Sequence, residues 1–445
     1  MATIREADLL ILGATEVVTC RGPERGIAGT GLGRLETIED GGIAIKDGRI
    51  LAVGPTREIE AAHRAGSRIN AEGRLVSPGL VDPHSHLIFA GDRCAEYEEK
   101  ILGRIVGANL ERGIAVTIKA TRAASDRALV EQALRDLDIA LAHGTTTIEA
   151  KTGYGLDRDS ELRLLRLTAG LEHAIEVVPT FLGAHVVPDD YASRREDYVR
   201  LLIDMAPEVA RLAEYCDVSC DPSCFTAEEC LRMGEAARRH GMGIRVHADQ
   251  TGDAGGATLA ARLRAASADH LDHASVEGLR AMAEAGSVAV FLPAVTFHLM
   301  EMTPPVEGGE IGSAQKPFMP LAVRRAIEAG AVVALSADYN PGSAPTPSMQ
   351  IVMQLAARLY RLTYAQIWHM CTLNAAASLG RGHDRGSLEV GKRADLVIWT
   401  EPDHRRIVNR FGYNMVDRVL VEGRTVVRDG RPVEPRNRGT EEGSR

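Results

Sequence analysis

The chain has 445 residues, of which 45% are hydrophobic and 25% charged, and its formal net charge is −9. These values are typical of a globular protein and exclude a largely disordered chain. The acidic balance argues against a nucleic-acid partner, because phosphate binding needs a basic surface. Seven cysteines are too few, and an odd number, for a disulfide scaffold.

The apolar runs of the chain are short. The run from Ala329 to Leu335, for example, is much shorter than the roughly 20 residues that span a bilayer. The first residues include Glu6 and Asp8, whereas a secretion signal begins with basic and then apolar residues. We therefore expect a soluble cytoplasmic protein that binds no membrane.

The two ends of the chain share a pattern of short strands. Two such runs flank Asp47-Gly48, and an Asp-Gly pair between apolar runs is a strong hairpin signal. Similar runs recur near the C-terminus. The pattern predicts one small β-sandwich domain built from residues 1–75 and 388–436, with residues 437–445 as a polar tail.

The middle of the chain alternates between two patterns. Apolar runs rich in β-branched residues are each followed by a stretch with apolar residues three and four apart. The runs occupy residues 80–86, 145–151, 177–185, 215–220, 243–247, 268–273, 288–293 and 332–338. Eight successive β–α units predict an α/β fold, a (β/α)8 TIM-type barrel over residues 76–387.

Polar residues end several of these runs. The first run ends with His84 and His86, two positions apart, so that both imidazoles would face the same side of a strand. His247 ends the fifth run, the sixth contains His270, and the eighth ends at Asp338. The carboxyl ends of barrel strands converge on one face, where catalytic groups lie. Imidazoles and a carboxylate suit zinc or iron, and this set leaves positions for water and substrate.

Two segments resemble the amidohydrolase superfamily. They are Val-Asp-Pro-His-Ser-His at 81–86 and Gly-Lys-Arg-Ala-Asp-Leu-Val at 391–397. Within the superfamily, the chain most resembles the imidazolonepropionase family of histidine degradation. The matching segments are 89–93, 148–156, 184–185, 247–250, 267–271, 338–343 and 412–414. The stretches Lys-Thr-Gly-Tyr-Gly-Leu at 151–156 and Asp-Tyr-Asn-Pro-Gly-Ser at 338–343 are far more specific than a His-x-His pair.

The resemblance implies roles for individual residues. One divalent metal, Zn²⁺ or Fe²⁺/Fe³⁺, would be held by His84, His86, His247 and Asp338. His270 would lie beside the scissile carbonyl, and Asp338 could also carry a proton from water to the leaving nitrogen. The implied substrate contacts are Arg93, Tyr154, His185, Gln250, Asn340, Gly342 and Ser343. An arginine guanidinium offers a planar fork that fits a substrate carboxylate.

The expected function is that of a metal-dependent hydrolase, acting on the C–N bond of a five-membered cyclic amide that bears a carboxylate. The resemblance implies opening of 4-imidazolone-5-propanoate to N-formimidoyl-L-glutamate, and a homodimer. Two alternatives stay open, a related hydantoin-like or modified imidazolone acid as substrate, and a superfamily deaminase. A scaffold without catalysis is disfavoured, because all four ligand positions are filled.

Two segments depart from the family pattern. Residues 102–113 lack the tyrosine that helps to bind the carboxylate, and residues 297–316 differ from the usual loop over the site. Asn109 and His298 are candidates to supply the missing contact. Because barrel enzymes change substrate by changing such loops, a related ring acid stays open as the better substrate.

Other histidines and cysteines are expected to be structural. The cysteines at 216, 220 and 224 recur every four residues, with Cys230 beyond, but the first two belong to a predicted strand and Asp221-Pro222 bends the chain after them. This placement disfavours a cysteine metal site. His273, His298 and His369 are likewise expected to have structural roles, although His298 lies on the atypical loop.

Overall fold

The structure, a computed structural model, describes residues 4–102, 113–301 and 321–433. The first strands are β1 (Arg5–Val18), β2 (Thr37–Lys46), β3 (Arg49–Pro55), β4 (His63–Asn70) and β5 (Leu75–Pro78). They are followed by β6 (Leu80–Asp82), β7 (Thr145–Lys151), β8 (Glu176–Ala184), β9 (Tyr215–Cys220), β10 (Gly243–Ala248), β11 (Ser267–His270), β12 (Val288–Phe291) and β13 (Val333–Leu335). The last strands are β14 (Leu396–Trp399), β15 (Val416–Val421), β16 (Arg424–Arg428) and β17 (Arg431–Pro432).

The strands of the two chain ends form one mixed sheet, nine-stranded within the described residues. The two ends meet where β5 pairs antiparallel with β14 and parallel with β1. Asp47 and Gly48 connect β2 to β3 with φ of 50° and 72°, the positive values that this tight hairpin turn requires. The predicted β unit from both termini and its hairpin are therefore confirmed.

The middle of the chain forms a second sheet, in which eight parallel strands, β6 to β13, lie in chain order within the described residues. The loops after β6 and β13 join its two edges. The backbone N–H of Asp338 donates to the carbonyl of His84 at 3.0 Å, and Ser85 pairs with Tyr339. The sheet is nearly closed, which confirms the predicted (β/α)8 barrel.

Helices fill the connections between the strands. They are α1 (Thr56–Ala62), α2 (Cys94–Ile101), α3 (Ile114–Ala123), α4 (Asp126–Ala142), α5 (Arg158–Ala169), α6 (Arg195–Val209), α7 (Ala227–Arg239), α8 (Gly256–Leu263), α9 (Val276–Ala285), α10 (Pro293–Glu301), α11 (Leu321–Glu328), α12 (Met349–Leu359), α13 (Tyr364–Met370), α14 (Leu373–Ser378) and α15 (His404–Asn409). Short polar side chains begin many of them; Thr226 and Glu229, for example, form a reciprocal cap on α7. Across the described ranges, no helix combines the length and apolar character needed to cross a bilayer.

The domain boundaries proposed from the sequence stay a prediction. The last N-terminal strand of the mixed sheet ends at Pro78, and the sheet resumes at Leu396. The predicted polar tail, 437–445, lies outside the described residues.

Candidate active site

The residues predicted as metal ligands meet at one end of the barrel. The ligand atoms of His84, His86 and His247 all lie within 4.8 Å of one another, and so do those of His84, His270 and Asp338. Oδ1 of Asp338 is 3.4 Å from Nε2 of His84 and 3.3 Å from Nε2 of His86. All five side chains are buried. The barrel thus brings together groups that three distant parts of the sequence supply.

The position of the first two histidines differs from the sequence prediction. Strand β6 ends at Asp82, so His84 and His86 lie in an extended segment beyond the strand rather than on it. Pro83 follows the strand and has no N–H to donate to a neighbouring strand. The segment is held instead through Ser85, whose carbonyl accepts from the backbone N–H of Lys151 at 2.8 Å.

Three potential ligand atoms of this cluster lack hydrogen-bond partners. Among the described residues, Nε2 of His84, Nε2 of His247 and Oδ1 of Asp338 are buried and unpaired. A buried polar atom without a partner costs about 1–3 kcal/mol, so several of them facing one point require an explanation. A divalent metal accepts this donor set of imidazole nitrogens and a carboxylate oxygen. The residues present therefore fit the metal that the sequence predicts.

Two carboxylates lie behind the histidines. Nδ1 of His84 is 2.6 Å from Oδ2 of Asp269, and Nδ1 of His247 is 3.1 Å from Oδ2 of Asp217. In a neutral ring, each Nδ1–H donates to its carboxylate and the lone pair of Nε2 faces the cluster. The sequence analysis missed both carboxylates. The sequence did carry a sign of them, because each is an acidic residue inside an apolar strand. A carboxylate in the core needs a hydrogen-bond or charge partner.

Burial keeps several histidines neutral. It lowers the pKa of His270 to about 3, and the histidines nearby add to the effect. Burial also lowers the pKa of His86 and of His185, in the second case well below its usual value. Burial and the Lys151 ammonium oppose protonation of His84, but Asp338 and Asp269 outweigh them and raise its pKa to about 9.

Left-handed backbone marks the rim of the site. Asp249, His270 and Asp338 have φ of 53°, 75° and 52°, values that side chains other than glycine rarely adopt. Such positions cost of order 1–3 kcal/mol each and cluster at functional sites. They lie just after or at the end of β10, β11 and β13, where the surrounding barrel holds them.

Two of the predicted substrate contacts pack against the cluster. The ring of His185 stacks on that of His86, with centroids 5.0 Å apart, and Tyr154 lies 5.6 Å from His86. Nδ1 of His185 donates to the carbonyl of Gly153 at 3.0 Å. Burial raises the pKa of Tyr154, so its hydroxyl is a hydrogen-bond donor near neutral pH.

Arg93 lies close by but already has a partner. Its Nε and Nη2 donate to the carboxylate of Glu96 at 2.9 and 2.7 Å, and Glu96 also accepts from the N–H of Gly113 at 2.8 Å. Its Nη1 lies against Gly342, where a Cβ atom would be only 2.0 Å away. The fork predicted for a substrate carboxylate is therefore occupied on one edge by Glu96.

Three of the remaining predicted contacts line a cavity together with Arg93. Asn340 organises the loop after β13, since its Oδ1 accepts from the N–H groups of Gly342 and Ser343, each at 2.8 Å. These three residues and Arg93 line a cavity of about 920 Å³. Gln250 is half-buried, three residues beyond His247.

The atypical loops are only partly described. His298 lines the same cavity and stacks on Tyr97, with ring centroids 4.9 Å apart. Asn109 and most of the segments 102–113 and 297–316 lie outside the described residues.

The cysteines and two other histidines lie apart from the cluster. None of the candidate metal groups found in the described part of the chain contains a cysteine. Cys216, Cys220 and Cys230 are buried free thiols, and burial raises the pKa of Cys216 to about 12. His369 donates to the carbonyl of Arg34 at 2.8 Å. His273 is exposed.

The loop that carries Tyr154 depends on a residue that the sequence analysis missed. Oε1 of the buried Glu161 accepts from the N–H groups of Gly153, Gly155 and Leu156 at 3.1, 2.8 and 2.9 Å. One carboxylate oxygen thus holds the loop between β7 and α5. The sequence indicated this role only through the position of Glu161, an acidic residue a few positions after the two glycines of the turn.

Known proteins resemble this chain over almost its whole length. Residues 75–426 match the amidohydrolase family, and residues 41–65 match an imidazolonepropionase-like composite domain of bacteria. The imidazolonepropionase of Symbiobacterium thermophilum is 44% identical over 439 residues, which cover 96% of this chain and 99% of that protein. The chain belongs to the imidazolonepropionase family of amidohydrolases. The imidazolonepropionase of Geobacillus thermodenitrificans is 43% identical, with 89% of this chain and 92% of that protein covered.

The fold of this imidazolonepropionase family member also occurs in distant enzymes. A crystal structure of an adenosine deaminase from Xanthomonas campestris with bound zinc matches it with a TM-score of 0.68 and 19% identity, over 97% of this chain and 95% of that one. At this identity the likeness establishes the barrel with its second sheet and nothing about substrate.

Proposed function

We propose that the enzyme hydrolyses the ring C–N bond of 4-imidazolone-5-propanoate and releases N-formimidoyl-L-glutamate. The observation that carries the proposal is the cluster of buried, unpaired donor atoms on His84, His247 and Asp338. It lies in a chain whose full-length relatives are imidazolonepropionases. In the reaction, water adds to the ring carbonyl carbon, the C–N bond breaks, and the departing nitrogen takes a proton.

The metal site would consist of His84, His86, His247 and Asp338. A divalent metal, when bound, supplies Lewis-acid catalysis and makes water a better nucleophile near neutral pH. Zinc is the first candidate and iron suits the same ligands. In support, the distant adenosine deaminase of the same fold holds zinc.

Two side chains would handle charge and protons. His270 is neutral near pH 7, so an N–H of its imidazole can donate to the carbonyl oxygen as negative charge develops there, worth a few kcal/mol when preorganised. The neighbouring histidines hold the pKa of Asp338 well below its usual value against the effect of burial. Its carboxylate is therefore ionised and can carry the proton from water to the departing nitrogen.

The carboxylate of the substrate would lie between Arg93, Tyr154 and His185. The guanidinium keeps its Nη1 edge directed away from Glu96, and the Tyr154 hydroxyl supplies a second donor. Asn340, Gly342, Ser343 and Gln250 would complete the contacts around the ring. We further infer a cytoplasmic homodimer, as the family resemblance implies.

The test combines metal content with a ring-opening assay. The metal-loaded protein should consume imidazolonepropanoate with a kcat/KM of about 10⁴ M⁻¹s⁻¹ or more, in the usual range for a native substrate. His247→Ala should lose metal and activity together, while the exposed His273→Ala serves as a matched control and should keep both.

A panel of substrates separates the alternatives. A hydantoin acid or a thio-substituted ring acid with the higher kcat/KM would replace the proposed substrate. Release of ammonia from an aminopurine, without ring opening of any acid, would show a deaminase instead. Full metal occupancy in His247→Ala would overturn the ligand assignment.

A further inference from the structure

Lys151 is a fully buried cation at the end of β7, next to the site but outside the proposed chemistry. Its Nζ lies 2.8 Å from Oε1 of Glu149 and 2.6 Å from Oδ2 of Asp217, and all three side chains have no exposed surface. A buried ammonium must be paired, and its ion pairs do not by themselves stabilise a fold, because desolvation offsets the attraction. The position of Lys151 therefore requires another explanation than stability.

Two of the three carboxylates around Lys151 support the metal-site histidines. Oδ2 of Asp217 contacts both Nζ of Lys151 and Nδ1 of His247, the latter at 3.1 Å, while Oδ1 accepts from the backbone N–H of His247, also at 3.1 Å. Oδ2 of Asp269 is 2.6 Å from Nδ1 of His84 and 3.7 Å from Nζ of Lys151. One ammonium thus faces both carboxylates.

The other buried cation nearby cannot take over this task. Arg245 lies 3.3 Å from Asp269, but two of its nitrogens donate to backbone carbonyls, of Ser378 at 2.9 Å and of Pro83 at 2.7 Å. It is thereby tied to the barrel wall on the side of Asp269. Among the contacts that the structure describes, Lys151 is the cation that holds Asp217.

We propose that Lys151 is a positioning residue for the metal site. Its hydrogen bond fixes the Asp217 carboxylate, which holds His247 with Nδ1–H toward the carboxylate and leaves Nε2 for the metal, and its ammonium also faces the Asp269 carboxylate behind His84. This inference rests on the proposed metal site. Loss of partners that orient a ligand typically costs 10–100-fold in metal affinity.

The test measures metal affinity in variants of the full chain. The zinc dissociation constant of Lys151→Met, from competition with a chromophoric chelator, should rise about 10–100-fold. With cobalt in place of zinc, the ligand-field spectrum should change as well, because His247 is reoriented. Lys392→Met is the matched control, since Lys392 is a buried lysine with carbonyl, hydroxyl and carboxylate partners remote from the cluster. It should bind zinc and cobalt as the wild type does.

A second variant removes the Asp217 contact without changing the net charge of the core, so that it tests the proposal if Lys151→Met does not fold. Lys151→Met with Glu149→Gln removes one positive and one negative charge, so the buried net charge is unchanged while the bond to Asp217 is lost. The double variant should show the same loss of affinity as Lys151→Met. Wild-type affinity in either folded variant would overturn the proposal. Absence of metal from the wild type would instead refute the proposed function, which keeps the two failures distinguishable.

Discussion

At the scale of single residues, Arg93 shows how a glycine can place a functional side chain. The guanidinium is held on one edge by Glu96, three positions later on the chain, and on the other side it rests against the backbone of Gly342. The contact between Arg93 and Glu96 joins residues three positions apart and is local. The contact between Arg93 and Gly342 instead depends on how the loop after β13 folds. The absence of a side chain at 342 is what gives Nη1 its position.

Gly342→Ala should therefore act as a defect of Arg93. The added methyl group would lie 2.0 Å from Nη1 and 2.7 Å from Cζ of Arg93, which forces the guanidinium to move. A shift of about 1 Å in a positioning group can cost about 100-fold, so we expect KM for the carboxylate substrate to rise by about 10–100-fold. KM for the same ring without its carboxylate should change little. Gly66→Ala, where no atom lies within 4 Å of the added carbon, is the control. Equal effects on both substrates would contradict a carboxylate role.

His173 offers a second prediction at this scale, remote from the metal site. Its Nδ1 accepts from the N–H of Ile175 at 3.0 Å, its Nε2 donates to Asp138 at 3.1 Å, and burial lowers its pKa from 6.5 to about 4. Above pH 6.5 the ring is neutral in both the folded and unfolded chain, and its contribution is constant. Below that pH the unfolded chain takes up a proton that the folded chain excludes, so the free energy of unfolding falls.

The size of this effect follows from the shift in pKa. It should reach ~2 kcal/mol at about pH 5 and saturate below about pH 4. Denaturant unfolding of His173→Gln at a series of pH values should show a shallower loss of stability on acidification than the wild type. The exposed His240→Gln is the control and should follow the wild type. Identical slopes in His173→Gln and wild type would rule out this contribution.

At the scale of elements, the first turn of α5 is bonded to the loop that connects β7 to this helix. Asp157 caps α5 by accepting from the N–H of Ser160, and Glu161 in the first turn reaches back to the loop that presents Tyr154. The apolar spacing predicted this helix, but not that its first turn holds the preceding loop. The helix therefore positions a side chain that it does not carry.

Replacing Glu161 tests this connection. Glu161→Ala leaves three buried N–H groups unpaired, which should lower the free energy of unfolding by about 1–3 kcal/mol or more. It should also raise KM for imidazolonepropanoate, since Tyr154 is no longer held. Glu161→Gln keeps the oxygen that accepts all three bonds and should lose less of both. The exposed Glu172→Gln should behave as the wild type. A Gln variant as damaged as the Ala variant would show that the charge, rather than the acceptor, matters.

At the scale of the whole molecule, the site lies where the barrel closes. His84 and Asp338 come from the loops after β6 and β13, the first and last strands of the barrel, and His247 is the penultimate residue of β10 between them. A ligand held by all three links the two edges of the sheet, and the unfolded chain cannot offer the same arrangement. Metal binding should therefore stabilise the entire fold as well as supply chemistry.

Chelation should lower the melting temperature of the wild type. A ligand that binds only the folded state stabilises it by ~4 kcal/mol when its free concentration is about 1,000 times its dissociation constant. Calorimetry with and without a chelator should show this difference, and added zinc should restore it. His247→Ala should melt at the same temperature with and without chelator. A chelator-dependent shift that persists in this variant would place the stabilising metal elsewhere.

The sequence by itself determined the barrel, the β unit from both termini and the set of histidines and Asp338 that converge. The strands and helices follow from hydrophobic periodicity, which is a property of residues close in the chain. Once eight β–α units are recognised, the general rule that barrel strands end on one face places the polar residues that follow them together. The roles of the individual site residues remain proposals. Only the tertiary structure decided which side chains support the site residues. Asp269 supports His84 from 185 positions away, and β6 stops before His84 because the chain leaves the sheet at Pro83. Partner choice depends on distances between residues remote in the chain, which no local pattern contains.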